Sequence, residues 1–119
     1  MTNPQVIIVT GCRKGIGKSI AEHFLKKNYQ VIGCSRGTPS ISHEQYRHFE
    51  LDVADEFAVK KMFSETRKHY DQLDALINNA GVASMNHSLL TPLTTVKNIV
   101  NTNLIGTFLC CREAAKIMK

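Results

Sequence analysis

The sequence predicts an α/β fold, in which a parallel β-sheet lies between two layers of helices. Short apolar runs rich in β-branched residues alternate with segments whose apolar residues recur every three or four positions. The first run, Gln5–Thr10, is continuously apolar from Val6 to Val9, as in a strand that helices cover on both faces. A chain of 119 residues is long enough for one domain with one core.

The first half of the chain supplies a strand, a helix and a second strand. Gln5–Thr10 is predicted as the first strand and ends at Gly11. A helix follows from residue 16, because its apolar residues share one face: Ile16, Ile20, Ala21, Phe24 and Leu25. Gln30–Ser35 is the second strand, and glycine, proline and serine residues mark segment 36–42 as a loop.

The second half continues the alternation. Tyr46–Val53 contains a third, shorter strand, and the acidic Asp55 and Glu56 after it suit the first turn of a helix. The apolar stripe of that helix is Val59, Met62, Phe63, Thr66 and Tyr70. Leu73–Asn78 is predicted as the fourth strand, and segment 81–92 as a long loop.

Segment 94–119 has helical periodicity throughout and is predicted as one helix. Its stripe comprises Val96, Ile99, Val100, Asn103, Thr107, Cys111, Ala114 and Met118. Further apolar residues, such as Leu104 and Phe108, lie beside that stripe, so we expect burial on more than one side. The order β-α-β-β-α-β-α is that of the first half of a Rossmann-like, doubly wound fold, with three α/β/α layers and about four strands.

A glycine-rich segment joins the first strand to the first helix: Thr10-Gly11-Cys12-Arg13-Lys14-Gly15-Ile16-Gly17. Gly11 can make the tight turn, Gly15 lets a pyrophosphate approach the backbone, and Gly17 lets the helix pack near the strand. The free N–H groups of the first helical turn would then face an anion. An ordinary glycine-rich turn is one alternative. A Walker A loop is another, although its first glycine would have to stand at Cys12.

The positive charge of the chain is concentrated around this segment. Residues 1–36 hold six basic side chains and one acid, whereas residues 37–119 hold nine of each sign. The formal net charge of +5 therefore belongs entirely to the first third of the chain. This distribution predicts a phosphate-bearing small molecule as the partner, and we do not expect nucleic acid.

Four motifs together resemble those of the short-chain dehydrogenases/reductases. T-G-x-x-x-G-I-G occupies positions 10–17, Asp52-Val53 ends the third strand, and Asn78-Asn79-Ala80-Gly81 ends the fourth. Asn103 matches the asparagine of that family's Asn-Ser-Tyr-Lys tetrad. The resemblance covers the entire chain. It implies an oxidoreductase of the EC 1.1.1 type that transfers hydride between a nicotinamide and a carbonyl or alcohol substrate, with 3-oxoacyl-thioester reductases as a common subclass.

The resemblance implies a role for each matching residue. The pyrophosphate would be held by Gly11, Arg13, Lys14, Gly15, Ile16 and Gly17. The Asp52 side chain and the Val53 amide would contact adenine, whereas Asn79, Ala80 and Gly81 would lie along the nicotinamide-side ribose. Asn103 would position a water in a catalytic proton relay. From the residues alone, an asparagine bonded to neighbouring backbone is an equally good interpretation.

The charge after the second strand favours NADP(H) over NAD(H). A carboxylate at that point binds the ribose 2′-OH of NAD, whereas an arginine accommodates the 2′-phosphate of NADP. Here the segment is Cys34-Ser35-Arg36, and no acid occurs between Glu22 and Glu44. Arg36 offers paired donors for phosphate, and Lys14 is a second basic group within reach. The alternative is that both side chains are merely solvated.

The other residues of the family's tetrad are missing from this chain. The family needs a tyrosine with a lysine four residues later, but Tyr29, Tyr46 and Tyr70 are followed at that spacing by glycine, glutamate and aspartate. We therefore expect residues 1–119 to form the NADP-binding, N-terminal part of such an enzyme, without its catalytic half and inactive alone. The family also implies a homo-oligomer through the C-terminal helix. The alternative is a truncated, non-catalytic nucleotide-binding or interaction module.

Composition and spacing argue against several other classes of protein. No apolar run approaches the roughly 20 residues of a membrane helix, and no signal peptide is visible. The four cysteines form no C-x-x-C pair, and the five histidines have no metal-ligand spacing beside them. We therefore expect no metal site and no membrane association, and reduced cysteines in a cytoplasmic protein.

Overall fold

The computed structural model describes residues 4–83 and 87–118 of the chain. The strands are β1 (Val6–Thr10), β2 (Gln30–Ser35), β3 (Tyr46–Glu50) and β4 (Ala75–Ile77). The α-helices are α1 (Gly15–Lys26), α2 (Glu56–Tyr70), α3 (Leu93–Val100) and α4 (Thr107–Ile117). A 3₁₀ turn, Ser88–Leu90, precedes α3. Part of the predicted loop 81–92 and the last residue of the predicted final helix lie outside the described residues.

The four strands form one parallel sheet in the order β3-β2-β1-β4. In β1, Val6 lies opposite Gln30 of β2, and Ile7 lies opposite Ala75 of β4. Because the strands are parallel, their carboxyl ends meet at the same edge of the sheet. The predicted Rossmann-like arrangement of about four parallel strands is confirmed.

Helices cover both faces of the sheet. Side chains alternate along β1, so that Ile7 and Val9 pack towards α1, whereas Val6 and Ile8 pack in the cluster that contains α2 and α4. Each of these four side chains is almost completely buried. Burial on both faces of the sheet therefore explains why the β1 segment is continuously apolar, as inferred from the sequence. The prediction of three α/β/α layers is confirmed.

The fourth strand is shorter than its apolar run predicted. Pairing with β1 extends only over Ala75–Ile77 rather than over 73–78. At the start of this segment the Asp74 carboxylate accepts from the Val6 N–H at 2.7 Å, and the Asp74 N–H donates to the Val6 carbonyl at 2.8 Å. These two bonds tie the chain to β1 before regular pairing begins.

The predicted single helix over 94–119 is wrong in one respect. A π-helical segment, Asn101–Gly106, interrupts the α-helical winding between α3 and α4. The buried residues Thr102, Gly106, Leu109 and Glu113 nevertheless keep helical spacing, so the predicted stripe marked a neighbouring face of the helix. Val96, Val100, Asn103 and Cys111 of the predicted stripe are exposed, and the buried residues are Thr102, Gly106, Leu109, Cys110, Glu113 and Ala114.

Gly106 makes the close packing of this segment possible. A Cβ atom at Gly106 would lie 2.5 Å from Cγ2 of Val53. Ile16 is a second correction to the predicted packing, since it is 73% exposed instead of facing the core. In the first turn of α1 it is Gly17 that is buried, against Gly11 of the glycine-rich segment.

Candidate functional site

The glycine-rich segment turns sharply at the carboxyl end of β1. Gly11 and Gly15 have φ of +66° and +63°, in the left-handed region that favours glycine. The Gly11 N–H donates to the Cys34 carbonyl at 2.9 Å, which fixes the turn against the end of β2. A Cβ atom at Gly15 would meet nothing within 4 Å, so the backbone there is open to a ligand.

Gly17 brings α1 against the start of the same turn. A Cβ atom at this position would lie 2.2 Å from the Gly11 carbonyl oxygen and 2.4 Å from Nδ2 of Asn79. Only glycine fits this contact without moving backbone. The sequence-based role of Gly17, which is close packing of the helix, is the role that the structure gives it.

Thr10 links the ends of β1 and β4. Its buried Oγ1 accepts from the N–H groups of Asn79 at 3.0 Å and Ala80 at 2.9 Å. The Asn79 Nδ2 in turn donates to the Gly11 carbonyl at 3.0 Å. These bonds hold segment 79–81 beside the glycine-rich turn.

The two long helices differ at their amino ends. α2 is capped by Asp55, whose carboxylate accepts from the Ala58 N–H at 3.2 Å. α1 begins after Lys14 with no side-chain cap and no acidic residue in its first turn. Its first N–H groups therefore offer donors and a positive dipole end to an anion.

A cavity of about 560 Å³ opens at the carboxyl ends of the strands. It is lined by ten of the predicted cofactor-binding residues: Gly11, Arg13, Lys14, Gly15, Arg36, Asp52, Val53, Asn79, Ala80 and Gly81. Gly17 lies behind this wall, and Ile16 lines a shallower surface along α1. A ligand cleft beyond the carboxyl ends of parallel strands is the usual arrangement in doubly wound sheets.

Arg36 and Asp52, which were assigned separate contacts, lie side by side. Nη2 of Arg36 is 3.3 Å from Oδ2 of Asp52 and donates to Oγ1 of Thr102 at 3.1 Å. Both charged side chains are about half exposed, so the pair contributes little to stability. It does define where the guanidinium sits, which is at the rim of the cavity.

Arg13, another residue that lines the cavity, is bonded to the loop after β2. Its Nε donates to the Thr38 carbonyl at 3.1 Å, and its own carbonyl accepts from the Ser40 hydroxyl. Lys14, at the start of α1, is exposed. Three residues with cationic side chains, Arg13, Lys14 and Arg36, therefore line the cavity.

Asn103 is bonded to neighbouring backbone, one of the two interpretations that the residues alone allowed. Its Oδ1 accepts from the Val82 N–H at 2.8 Å, and its Nδ2 donates to the Val82 carbonyl at 2.8 Å. Asn103 is exposed, not buried as its place on the predicted stripe required. It fastens the segment after β4 to the π-helical segment.

Sequence reasoning missed six lining residues: Cys34, Ser35, Gly37, Leu51, Val82 and Thr102. Most of them adjoin predicted residues at strand ends, so the parallel-sheet rule would have found them. Thr102 could not be found in that way, because it lies on the helix face of Gly106, Leu109 and Glu113, which the predicted stripe did not include. Burial raises the pKa of the Cys34 thiol, which stays protonated at neutral pH.

Two further properties concern residues 4–83 and 87–118. Within these ranges no group of three or more His, Cys, Asp or Glu residues is placed to hold a metal ion. Nor is any helix there long and apolar enough to cross a bilayer.

A cleft of about 560 Å³ over a glycine-rich turn, at the carboxyl ends of a parallel sheet, is typical of nucleotide-binding α/β proteins. The chain belongs to the short chain dehydrogenase family, whose model matches residues 5–119.

Known proteins show the same likeness in sequence and structure. The chain is 33% identical over 130 residues to chlorophyll(ide) b reductase NOL, chloroplastic, of Arabidopsis thaliana, covering 99% of this chain and 37% of that protein. The structure of ElxO with NADP bound is 33% identical, with a TM-score of 0.87 over 96% of this chain and 50% of ElxO. A 4-hydroxyisoleucine dehydrogenase complexed with NADH is 25% identical, with a TM-score of 0.85 over 94% of this chain and 48% of that one. The chain thus spans half or less of the length of each.

Proposed function

We propose that these residues form the cofactor-binding part of an NADP(H)-dependent oxidoreductase of the short-chain type. The observation that carries this proposal is the uncapped amino end of α1, which lies behind an open glycine turn at the rim of the cavity. A pyrophosphate supplies the negative charge that this helix end lacks. The bound nicotinamide would supply hydride transfer to or from a carbonyl or alcohol carbon.

The preference for NADP(H) is argued from Arg36. Its three polar contacts, to Asp52, Asn98 and Thr102, all use Nη2. Nε and Nη1 have no hydrogen-bond partner among the residues that the structure describes. A guanidinium anchored through one nitrogen, with the rest of its planar edge available, is suited to a phosphate. Relatives bind either form, since ElxO holds NADP and the 4-hydroxyisoleucine dehydrogenase holds NADH.

The other residues that line the cavity are proposed to contact successive parts of the cofactor. Lys14 would add a second cation for the 2′-phosphate, and Asp52 and Val53 would face the adenine. Asn79, Ala80 and Gly81 would line the path towards the nicotinamide. In the whole enzyme Asn103 would belong to the proton relay. In this chain its two bonds to Val82 position the segment after β4.

The protein that carries this portion would act on a small carbonyl or alcohol substrate, and a 3-oxoacyl thioester is one candidate class. No Tyr-x-x-x-Lys occurs in the sequence, so residues 1–119 alone are proposed to bind cofactor without turnover. Four free cysteines, three of them buried, support a reducing compartment such as the cytoplasm. A non-catalytic nucleotide-binding module is the second candidate, favoured by that same missing motif.

Titration with NADPH and NADH tests the proposal. We expect tighter binding of NADPH, and we expect Arg36→Ala to weaken NADPH binding by about 10-fold or more, since a charge-assisted contact contributes roughly 1.5–3 kcal/mol. NADH affinity should change little. Nicotinamide absorbance should stay constant when ketones are added to the chain with NADPH.

The control variant is Arg47→Ala, because Arg47 lies on the same sheet but pairs with Glu65 outside the cavity. It should leave both affinities unchanged. Equal affinity of the wild-type chain for the two cofactors, or an Arg36→Ala variant that binds NADPH normally, would refute the NADP preference. Turnover of a ketone would refute the inactivity of the isolated chain.

Self-association through the last helices is a further part of the proposal. Leu93, Val96, Val100, Leu104 and Phe108 form a row of exposed apolar side chains along α3, the π-helical segment and α4, each between 44% and 65% exposed. Such a contiguous patch favours association. We expect Leu104→Lys combined with Phe108→Lys to shift sedimentation towards a monomer. The matched change Phe57→Lys, on an isolated exposed phenylalanine of α2, should not. A wild-type chain that stays monomeric at high concentration would contradict this proposal.

A further inference from the structure

Four polar side chains form a hydrogen-bonded chain beside the cavity. Sγ of Cys12, in the glycine-rich segment, lies 2.9 Å from the Tyr46 hydroxyl. That hydroxyl lies 2.6 Å from Nδ1 of His48, and Nε2 of His48 lies 3.0 Å from Oγ of Ser35 and 3.1 Å from the Gly37 carbonyl. This series of hydrogen bonds thus runs from the turn after β1 to the turn after β2.

The chemistry of the groups determines which of them donates and which accepts in each hydrogen bond. The Gly37 carbonyl can only accept, so Nε2 of His48 is the donor to it. A neutral imidazole carries one N–H, so Nδ1 accepts from the Tyr46 hydroxyl, which is then free to accept from the Cys12 thiol. Burial raises the pKa of the Cys12 thiol and of the Tyr46 hydroxyl, so both keep the protons that this arrangement needs.

Gly33 of β2 leaves space for the contact between Cys12 and Tyr46. A Cβ atom at Gly33 of β2 would lie 2.2 Å from Sγ of Cys12 and 2.2 Å from the Tyr46 hydroxyl. Gly33 has no turn to make, since it stands in the middle of a buried strand, where glycine is unfavourable. Its absent side chain is therefore explained by the contact between Cys12 and Tyr46.

The turn formed by residues 35–38, to which His48 is hydrogen-bonded, is held from two sides. Ser35 Oγ donates to the Gly37 carbonyl at 2.9 Å, so His48 and Ser35 share that acceptor. On the other side Nε of Arg13 donates to the Thr38 carbonyl, and a Cβ atom at Gly37 would lie 2.9 Å from that Nε. Arg36 projects from this clamped turn.

We propose that the chain Cys12–Tyr46–His48–Ser35 holds the 35–38 turn so that Arg36 meets the 2′-substituent of the adenosine ribose, with His48 as the positioning residue. This inference rests on the proposed function for the identity of the ligand. It goes further in assigning cofactor preference partly to β3, a strand that does not line the cavity.

The test compares binding of 2′,5′-ADP with binding of 5′-AMP by calorimetry. His48→Leu removes the three hydrogen-bond contacts of the imidazole, to Tyr46, Ser35 and Gly37, and should weaken 2′,5′-ADP binding about 10-fold, with less than about a threefold change for 5′-AMP. His48→Gln restores an N–H donor towards the Gly37 carbonyl and should recover most of the loss. Tyr46→Phe should weaken 2′,5′-ADP about threefold. Its matched control, Tyr70→Phe, removes a weak 3.5 Å contact at the opposite end of the sheet and should have no effect.

Hydrogen exchange provides a readout that does not need the ligand. The Leu51 amide, which donates to the Ser35 carbonyl at 2.8 Å, should exchange faster in His48→Leu than in the wild type, and His48→Gln should restore the slower rate. Unchanged exchange in His48→Leu overturns the positioning role. The positioning role is also overturned if the ratio of 2′,5′-ADP affinity to 5′-AMP affinity in His48→Leu equals the wild-type ratio. Equal binding of 2′,5′-ADP and 5′-AMP by the wild type overturns the NADP assignment instead, and the exchange rates then decide the positioning role on their own.

Discussion

Gly17→Ala is expected to weaken NADPH binding by about 100-fold, equivalent to about 2.8 kcal/mol, and to lower the free energy of unfolding by about 3 kcal/mol. The added methyl group would lie 2.2 Å from the Gly11 carbonyl oxygen. That atom belongs to backbone, which cannot rotate away as a side chain can. Either α1 moves off the turn or the turn itself moves. Both displace the helix end from the site. Urea unfolding and cofactor titration measure the two effects.

Gly15→Ala is the matched comparison within the same turn. An added Cβ meets no atom within 4 Å there, and the only intrinsic cost is the positive φ of +63°, about 1–2 kcal/mol for an L-residue. NADPH affinity should nevertheless fall, because the methyl group occupies the open side of the turn where the pyrophosphate is proposed to lie. The two variants therefore share the binding defect but differ in stability. If Gly17→Ala unfolded at the same urea concentration as the wild type, the close contact between helix and turn would be wrong.

The glycine turn shows why part of this site could be predicted from sequence. Gly11 and Gly17 are required by the local path of the chain, and a strand on one side and a helix on the other determine that path. The roles of the glycines therefore depend on neighbours a few residues away. The same holds for segment 79–81, which comes shortly after β4 and lines the cavity.

The last helices show where sequence reasoning fails. Simple periodicity placed Asn103 on the buried face and left Thr102 off it, but the structure reverses the two. The buried face carries Thr102, Gly106 and Leu109 at helical spacing, on the side where Gly106 closely approaches Val53. No local pattern in the sequence reports that contact. The pairing of Arg36 with Asp52 was missed for a similar reason, since it joins the ends of two strands separated by a loop.

Thr10→Val is expected to lower the free energy of unfolding by about 2–4 kcal/mol, although valine has nearly the shape of threonine. Thr10 Oγ1 is the acceptor for two backbone donors, the N–H groups of Asn79 and Ala80. Valine leaves both without a partner at a half-buried position, and each unsatisfied donor costs about 1–3 kcal/mol, less where water can reach it. Cofactor affinity should fall in parallel, because residues 79–81 line the cavity.

Thr66→Val separates this effect from the general cost of removing a buried hydroxyl. Thr66 is as buried as Thr10, but its Oγ1 only donates, to the Met62 carbonyl at 2.9 Å inside α2. That carbonyl can still accept the N–H of its own helix, so we expect a loss below about 1 kcal/mol and unchanged cofactor affinity. Thr10→Ser keeps the acceptor and should restore most of the stability. Should Thr10→Val and Thr66→Val prove equally stable, the two strand ends would not depend on one threonine oxygen, and another contact would have to hold segment 79–81 in the site.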